Sequence, residues 1–393
     1  MADSNKSKSR HGTSNNQALC DLLIEWKNNQ LLVEYEKDCR RGYNRFSSTQ
    51  FYAPYMLTLR NGEKWILFNT TSMRTDRIKG NQWDAFNLKQ IDPDITYAAI
   101  VYPDSSSIDT IAEFNRQRLK YYNNIEFSAI DDIISQSQLH SLLEEKEFEG
   151  IELGKKHDLR GHNLEHQIAY ILSNDSNFKK WKNPIESELV VGVHYNTFEY
   201  VLGCFGLQKE DVASISATTD AGRLPTGGLP KTDVVVSVRY VDGTDRNYTI
   251  SCKRTSKNNV TVHEYTADAF ADVLDYNNSE LRYLLNEFQK HPTLTAFGEY
   301  NVKMLGNALS PYLERLSLWV LGGRYGIGDP ATQWADYILT CDENTLTLSL
   351  YRIEEYYQKL LLSNHGGHFG TIFKWTYPSK KRGKSIQLKC RVL

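Results

Sequence analysis

The chain has 393 residues, 24% of them charged and 40% hydrophobic, with a formal net charge of -2 at pH 7. That length exceeds a comfortable single core and predicts two domains, while the near-neutral charge excludes wholesale coating of nucleic acid and leaves room only for local basic patches. Six scattered cysteines with no CxxC pair exclude a zinc ribbon or disulfide framework, no apolar run is long enough to span a bilayer, the opening residues lack a signal segment, and a cytoplasmic protein is expected.

In chain order, residues 1–16 are polar and rich in Ser, Asn and Lys, a composition expected to stay disordered. From 17 to 38, Leu22, Leu23, Trp26, Leu31 and Leu32 recur on one broad helical face. YMLTLRNGEKWILFNTTS reads as two β-runs joined by Asn61-Gly62, a strong hairpin signal. DRIKGNQWDAFNLKQI reads as helix and TYAAIVYP as a buried strand. The charged stretch at 141–158 then places the domain boundary near residue 150, giving an accessory α/β domain over 17–150 and a second domain over 151–393.

The second half restarts with a helix, NLEHQIAYILSN. It continues into GGLPKTDVVVSVRYVDGTDRNYTISCKRTS, two β-runs joined across Asp242-Gly243. Helical segments follow around 264–290 and 308–321, then a strand-like YILTCDENTLTLSLYRI and a basic, strand-containing tail. Two α/β domains, each a mixed sheet with flanking helices, are expected.

The hairpin carries the chemistry. Asp233 heads one run, and Ser251, Cys252 and Lys253 lie on the other. Period two puts Ser251 and Lys253 on one face and turns the Cys252 side chain away, leaving its backbone carbonyl available. A hard cation such as Mg²⁺ takes oxygen ligands, one or two carboxylates with carbonyls and waters. Asp233 and the Cys252 carbonyl are therefore candidate ligands, with Lys253 placed to orient an attacking water or offset transition-state charge, while Ser251 stands where a carboxylate would strengthen the pattern. An Asp and a Lys on paired strands also occur in ordinary hairpins, and at this point both readings stay open.

Four colinear segments carry a resemblance: TTDAGRLPTGGLPKTDVVVSVRY, ISCKRTSKNNVTVHEYTAD, LSPYLERLSLW and GTIFKWTYPSKKRGKSIQLK. Over about residues 155–393 the chain resembles the MspI-like type II restriction endonucleases, a branch of the PD-(D/E)xK nuclease fold. The resemblance implies a Mg²⁺-dependent, site-specific endonuclease acting on double-stranded DNA and leaving 5′-phosphate and 3′-hydroxyl ends. It puts the catalytic Asp on Asp233 and the catalytic Lys on Lys253. Between them stands Ser251, where the family carries Asn and most nucleases of this fold carry Glu or Asp. Many such nucleases also have a helix-borne Glu near the metal, which falls here on Glu165; a solvated helical charge is the other reading of that residue.

From His365 onward there are seven basic residues and no Asp or Glu, flanked by β-like apolar runs, so the segment reads as a hairpin with a basic turn. A two-stranded ribbon enters a DNA major groove. The resemblance puts DNA-contacting positions on Thr376, Ser379, Gln387 and Lys389, and a further one on Thr261. Lys389 suits guanine, Lys380, Lys381 and Arg382 suit phosphates, and Arg254 and Lys257, with the amides near Asn258, suit the backbone beside the scissile bond.

The first domain repeats the strand, turn, strand, helix order of a nuclease core. It has Pro54-Tyr55 where such a core has its acid and Phe68-Asn69-Thr70 where the acid-x-Lys triplet would stand. It reads as a nuclease-type scaffold without metal ligands, used for DNA contact through Arg74, Arg77, Lys79 and Trp83 or for dimerisation, or as an unrelated stabilising domain. A cleavage-deficient sequence-specific DNA-binding protein and an RNA or repair nuclease of the same fold are the competing functions. A DNA methyltransferase modifying the same site is the implied functional partner, and the chain acts as a monomer or homodimer.

Overall fold

The computed structural model describes residues 2–42, 50–72, 74–104, 116, 128–183, 190–345, 347–363 and 366–393. It divides into two compact units, Met1–Gly203 with Leu207–Glu210, and Cys204–Gly206 with Asp211–Leu393. The expected boundary near residue 150 falls inside the first of these units.

In the first unit, helix α1 (Ala2–Asn28) is followed by β1 (Glu34–Arg41), β2 (Phe51–Thr58), β3 (Lys64–Asn69), α2 (Thr75–Ile91), β4 (Ile95–Tyr102) and β5 (Asp132–Ser135). The strands form one sheet in the order β1-β2-β3-β4-β5. β1, β2 and β3 are antiparallel neighbours, whereas β4 returns parallel to β3 after α2, and β5 is parallel to β4. The Asn61-Gly62 turn joins β2 and β3 as expected, with Gly62 at φ 89° in the left-handed region.

Three expectations change here. The opening residues are not a separate disordered tail, because α1 begins at Ala2. Its polar side chains find partners: Asn15 Nδ2 donates to Asn69 Oδ1 at 2.8 Å, and Ser14 Oγ accepts from the Val191 amide at 2.7 Å. The helix also stops at Asn28 instead of running to 38. Gln30 turns the chain at φ 62°, the Leu31 and Leu32 amides bond back to the Trp26 carbonyl at 2.9 and 3.1 Å, and both leucines are buried from that turn. The charged stretch at 141–158 is the end of α3 (Gln136–Glu147), a turn over 148–152 and the start of α4 (Leu153–Ser173). Ser135 and Gln138 form a capping box for α3, and its Leu139 and Leu143 face the core. Buried Glu147 is held there by Arg60 Nε at 2.7 Å. Helices α5 (Asp175–Lys182) and α6 (Tyr195–Phe205) complete the unit.

The second unit opens with β6 (Val212–Thr218), β7 (Val234–Tyr240), β8 (Asp245–Thr255) and β9 (Asn259–Tyr265). Helices α7 (Ala267–Asp275), α8 (Ser279–Lys290), α9 (Leu294–Phe297), α10 (Glu299–Leu309) and α11 (Leu313–Gly322) follow. Then come β10 (Tyr337–Asp342), β11 (Thr347–Arg352), α12 (Ile353–Leu362), β12 (Lys374–Thr376) and β13 (Ile386–Arg391). The main sheet has the order β11-β10-β8-β7-β6 and a smaller one the order β12-β13-β9. Here too three antiparallel strands, β6, β7 and β8, are joined by a later strand parallel to the third, β10 on β8.

The helices start where the sequence supplies caps. Thr266 Oγ1 accepts from the Ala269 amide at 3.3 Å before α7, and Asn278 Oδ1 from the Leu281 amide at 2.9 Å before α8. In α7, Ala267, Phe270, Ala271 and Leu274 recur at helical spacing and are buried; in α8 the same holds for Leu281, Leu284, Leu285 and Phe288. They pack with Trp319 and Trp375 into an aromatic core beneath the small sheet. No helix among the described residues is long and apolar enough to cross a membrane.

Candidate active site and nucleic-acid interface

The β7–β8 hairpin places the expected residues together. Val234 pairs with Ile250, so Asp233, one residue before the strand, stands beside Ser251 and Cys252. One carboxylate oxygen, Asp233 Oδ2, accepts from the Cys252 amide at 2.7 Å, from Ser251 Oγ at 3.2 Å and from Lys253 Nζ at 3.2 Å. Lys253 Nζ also donates to the Cys252 carbonyl at 2.7 Å. The same-face placement of Ser251 and Lys253 is as expected from period two.

The Ser251 side chain is fully buried, and its hydroxyl donates to the Asp233 carboxylate. Asp233 Oδ2 and the Cys252 carbonyl oxygen converge on one point, and that point holds a positive charge, the Lys253 ammonium. A carboxylate and a carbonyl facing one cationic position suit a hard cation that completes its shell with water. Among the described residues no group of three or more His, Cys, Asp or Glu side chains is placed to hold a metal ion.

A second lysine adjoins the cluster and escaped the sequence reading. Lys231 Nζ donates to the Val262 carbonyl of β9. Burial, and next to it the Lys253 ammonium, pull the Lys231 amine down to about 7. Its signal was the spacing in PKTD, where a residue two positions before Asp233 shares its side of an extended chain.

The small sheet gathers the expected DNA-contacting residues. Thr376 pairs with Gln387, Lys374 with Lys389, and Lys389 with Thr261. Trp375, Leu388 and Cys390, the alternating residues, are buried. Thr261, Thr376, Gln387 and Lys389 therefore share the polar face of one ribbon, with Ser379 and Lys380 exposed on its turn. A register shift between Leu388 and Lys389 skips Val262 on β9 and so sets Thr261 opposite Lys389. Asn258, Asn259, Lys374, Lys389 and Arg391 rim a hollow of about 240 Å³ on this sheet.

Other expected contacts look different. Arg254 is turned inward, where its Nε meets Glu343 Oε1 at 3.1 Å with both side chains about nine-tenths buried. Lys381 Nζ is paired with Glu264 Oε1 at 2.9 Å, whereas Lys257 is exposed. Glu165 lies on α4 in the first unit, where its Oε2 is 3.2 Å from His162 Nδ1. Also in the first unit, Asn69 Nδ2 donates to the Asn15 carbonyl at 2.9 Å, so α1 takes up the middle of the Phe68-Asn69-Thr70 triplet. Arg74 pairs with Asp76 at 2.9 Å, while Arg77, Lys79 and Trp83 are exposed.

Comparison with known proteins places this geometry. Residues 139–390 match the family described as restriction endonuclease MspI. The type II restriction enzyme BsuFI of Bacillus subtilis is 25% identical over 407 aligned residues, covering 99% of each chain. The type II restriction enzyme MspI of Moraxella sp is 24% identical over 196 residues, 48% of this chain and 75% of that one. A crystal structure of restriction endonuclease MspI in complex with its cognate DNA superposes with a TM-score of 0.54 at 22% identity, over 64% of this chain and 97% of that chain.

Proposed function

The chain belongs to the restriction endonuclease MspI family, a family of type II site-specific deoxyribonucleases, and from that premise we propose that it cuts double-stranded DNA at a fixed site with Mg²⁺ at the β7–β8 hairpin of a PD-(D/E)xK core. The observation that carries this reading is the convergence of Asp233 Oδ2 and the Cys252 carbonyl on the position of Lys253 Nζ.

Bound there, Mg²⁺ supplies the charge that offsets the developing phosphorane and acidifies a water. Asp233 and the Cys252 carbonyl hold it, and Ser251 and the Cys252 amide fix the carboxylate so that no reorganisation is needed during reaction. Lys253, once released from Asp233, orients the attacking water and steadies the negative phosphate. Attack at phosphorus with departure of the 3′ oxygen leaves 5′-phosphate and 3′-hydroxyl ends. Thr261, Thr376, Gln387 and Lys389 read base edges from the small sheet, while Lys380, Lys257 and Lys381, the last released from Glu264, hold phosphates. Glu165 keeps its candidate role as a helix-borne acid.

The first unit is assigned as a nuclease-type scaffold without metal ligands that contacts DNA. What supports this is the shared strand plan, three antiparallel strands and a later strand parallel to the third, in both units. A methyltransferase of matching specificity is the functional partner, and homodimers would let both strands be cut in one encounter.

The test is digestion of phage DNA in Mg²⁺ by the full chain and by Asp233→Asn, with end sequencing and direct ligation of the products. Discrete fragments with one common end sequence and ligatable 5′-phosphates, absent in the variant, are expected. Tight duplex binding without cleavage in either Mg²⁺ or Mn²⁺ would sink this reading in favour of a binding protein.

A further inference from the structure

Beside the catalytic hairpin the second unit encloses a cavity of about 560 Å³. Its wall is aromatic, from Tyr265, Trp319, Tyr325 and Trp334, and Lys231 and His263 complete it on the side of the catalytic loop. That volume lies within the range of small-molecule sites. Flat aromatic walls favour a flat ligand, since stacking rewards any π-face.

Two polar groups in this wall, His263 and the Trp334 indole, lack hydrogen-bond partners among the described residues. His263 is only 3% exposed, yet among the described residues neither of its ring nitrogens has a hydrogen-bond partner. The Trp334 indole N–H, also on the wall, is buried without an acceptor. Buried polar atoms are nearly always paired. The ring of His263 is wedged against Trp319 and Tyr265, with centroids 4.1 and 4.4 Å away, so it cannot turn to seek a partner elsewhere. Burial and the Lys231 ammonium hold it well below its ordinary protonation range. The neutral ring offers one donor and one acceptor, and Trp334 adds a donor.

We propose that this cavity is a nucleobase pocket, which stacks a planar base on its aromatic wall and pairs the base's polar edge with His263 and Trp334. The inference rests on the endonuclease reading, because Lys231 connects the pocket wall to the loop bearing Asp233. Lys231 lines the pocket and lies two residues before Asp233 in the chain. The rim favours the base over the phosphate as the inserted part: Asp268 and Asp272 stand there, both paired with Arg282. The base comes either from bound DNA, as a nucleotide turned out of the duplex, or from a free nucleotide.

The pocket's own tryptophans report on it. The full chain is titrated with dAMP, dCMP, dGMP and thymidine monophosphate, and with deoxyribose 5-phosphate as the base-free control, while tryptophan emission is followed. At least one nucleotide should quench saturably with Kd on the order of 1 mM, and the control should not. His263→Leu and Trp334→Phe should each weaken that binding at least fivefold while circular dichroism stays unchanged; if one fails to fold, the other carries the test. Without added metal, a duplex containing the cleavage site should displace the nucleotide competitively if the base comes from DNA, and should bind alongside it if the ligand is a free nucleotide. No saturable quenching by any of the four nucleotides, or unchanged binding in the folded variants, would overturn the proposal. Cleavage of phage DNA is measured in parallel: cutting without nucleotide binding removes the pocket alone, and nucleotide binding without cutting removes the endonuclease reading alone.

Discussion

Replacing Lys253 by methionine separates the two things this lysine does. In the structure its ammonium lies 3.2 Å from Asp233 Oδ2 and 2.7 Å from the Cys252 carbonyl, the position a hard cation would take. Metal entry therefore has to break the Lys253–Asp233 pair. The two side chains are 17% and 22% exposed, so the pair is stronger than a surface ion pair and weaker than a fully buried one. Taking about 1–3 kcal/mol for it, from those two limits, Lys253→Met should bind Mn²⁺ roughly 5- to 150-fold more tightly than the wild type. Its cleavage rate should fall by about 10²–10⁴, the usual worth of a positioned proton-transfer or charge-stabilising group. Free Mn²⁺ measured by electron paramagnetic resonance in DNA-free protein reads the first effect, and plasmid cleavage reads the second. A collapsed site would lose affinity and activity together. Metal affinity unchanged or weaker in a folded Lys253→Met protein would refute the view that the lysine occupies the cation's place.

Three further outcomes are expected. Burial raises Glu25 from its ordinary 4.5 to about 7, so the folded state keeps its proton where the unfolded chain has lost it, and stability should fall as pH rises from 4.5 to 7. Glu25→Gln should remove that slope and gain on the order of 3 kcal/mol above pH 7 but almost nothing near pH 4.5; urea midpoints at both pH values check it, and an unchanged slope would count against it. Arg254→Ala leaves Glu343 buried without its cation and should cost about 3–5 kcal/mol in urea unfolding. A stable variant whose DNA binding merely loses about 0.9 of its salt slope would restore the phosphate-contact role instead. Replacing Arg77 and Lys79 together by alanine should lower the salt slope of DNA binding by about two if the first unit touches phosphates; fluorescence anisotropy across a salt series shows whether it does.

The hairpin proposed to carry the catalysis was legible because its information is local. Asp242-Gly243 sets the turn, period two sets the faces, and together they bring Asp233 beside Ser251 and Lys253 without help from the rest of the chain. The basic ribbon was legible for the same reason: alternation of Lys374, Trp375 and Thr376, and of Gln387, Leu388 and Lys389, already sorts polar from buried. The end of α1 and the helices over 141–158 were missed where a single residue or cap overrode the pattern, Gln30 in a left-handed turn and Ser135 with Gln138.

What only the tertiary structure decided is which charges meet across elements far apart in sequence. Arg254 meets Glu343 only because the end of β10 lies beside β8, and Lys381 meets Glu264 only because β9 pairs with β13. Ser251 meets the Asp233 carboxylate only through the pairing of β7 with β8. Lys231 bonds to the Val262 carbonyl and His263 packs on Trp319, each more than thirty residues away in sequence. Backbone periodicity acts between neighbours and is written in short stretches of sequence. Burial and charge pairing depend on the register of distant strands, which no short stretch contains.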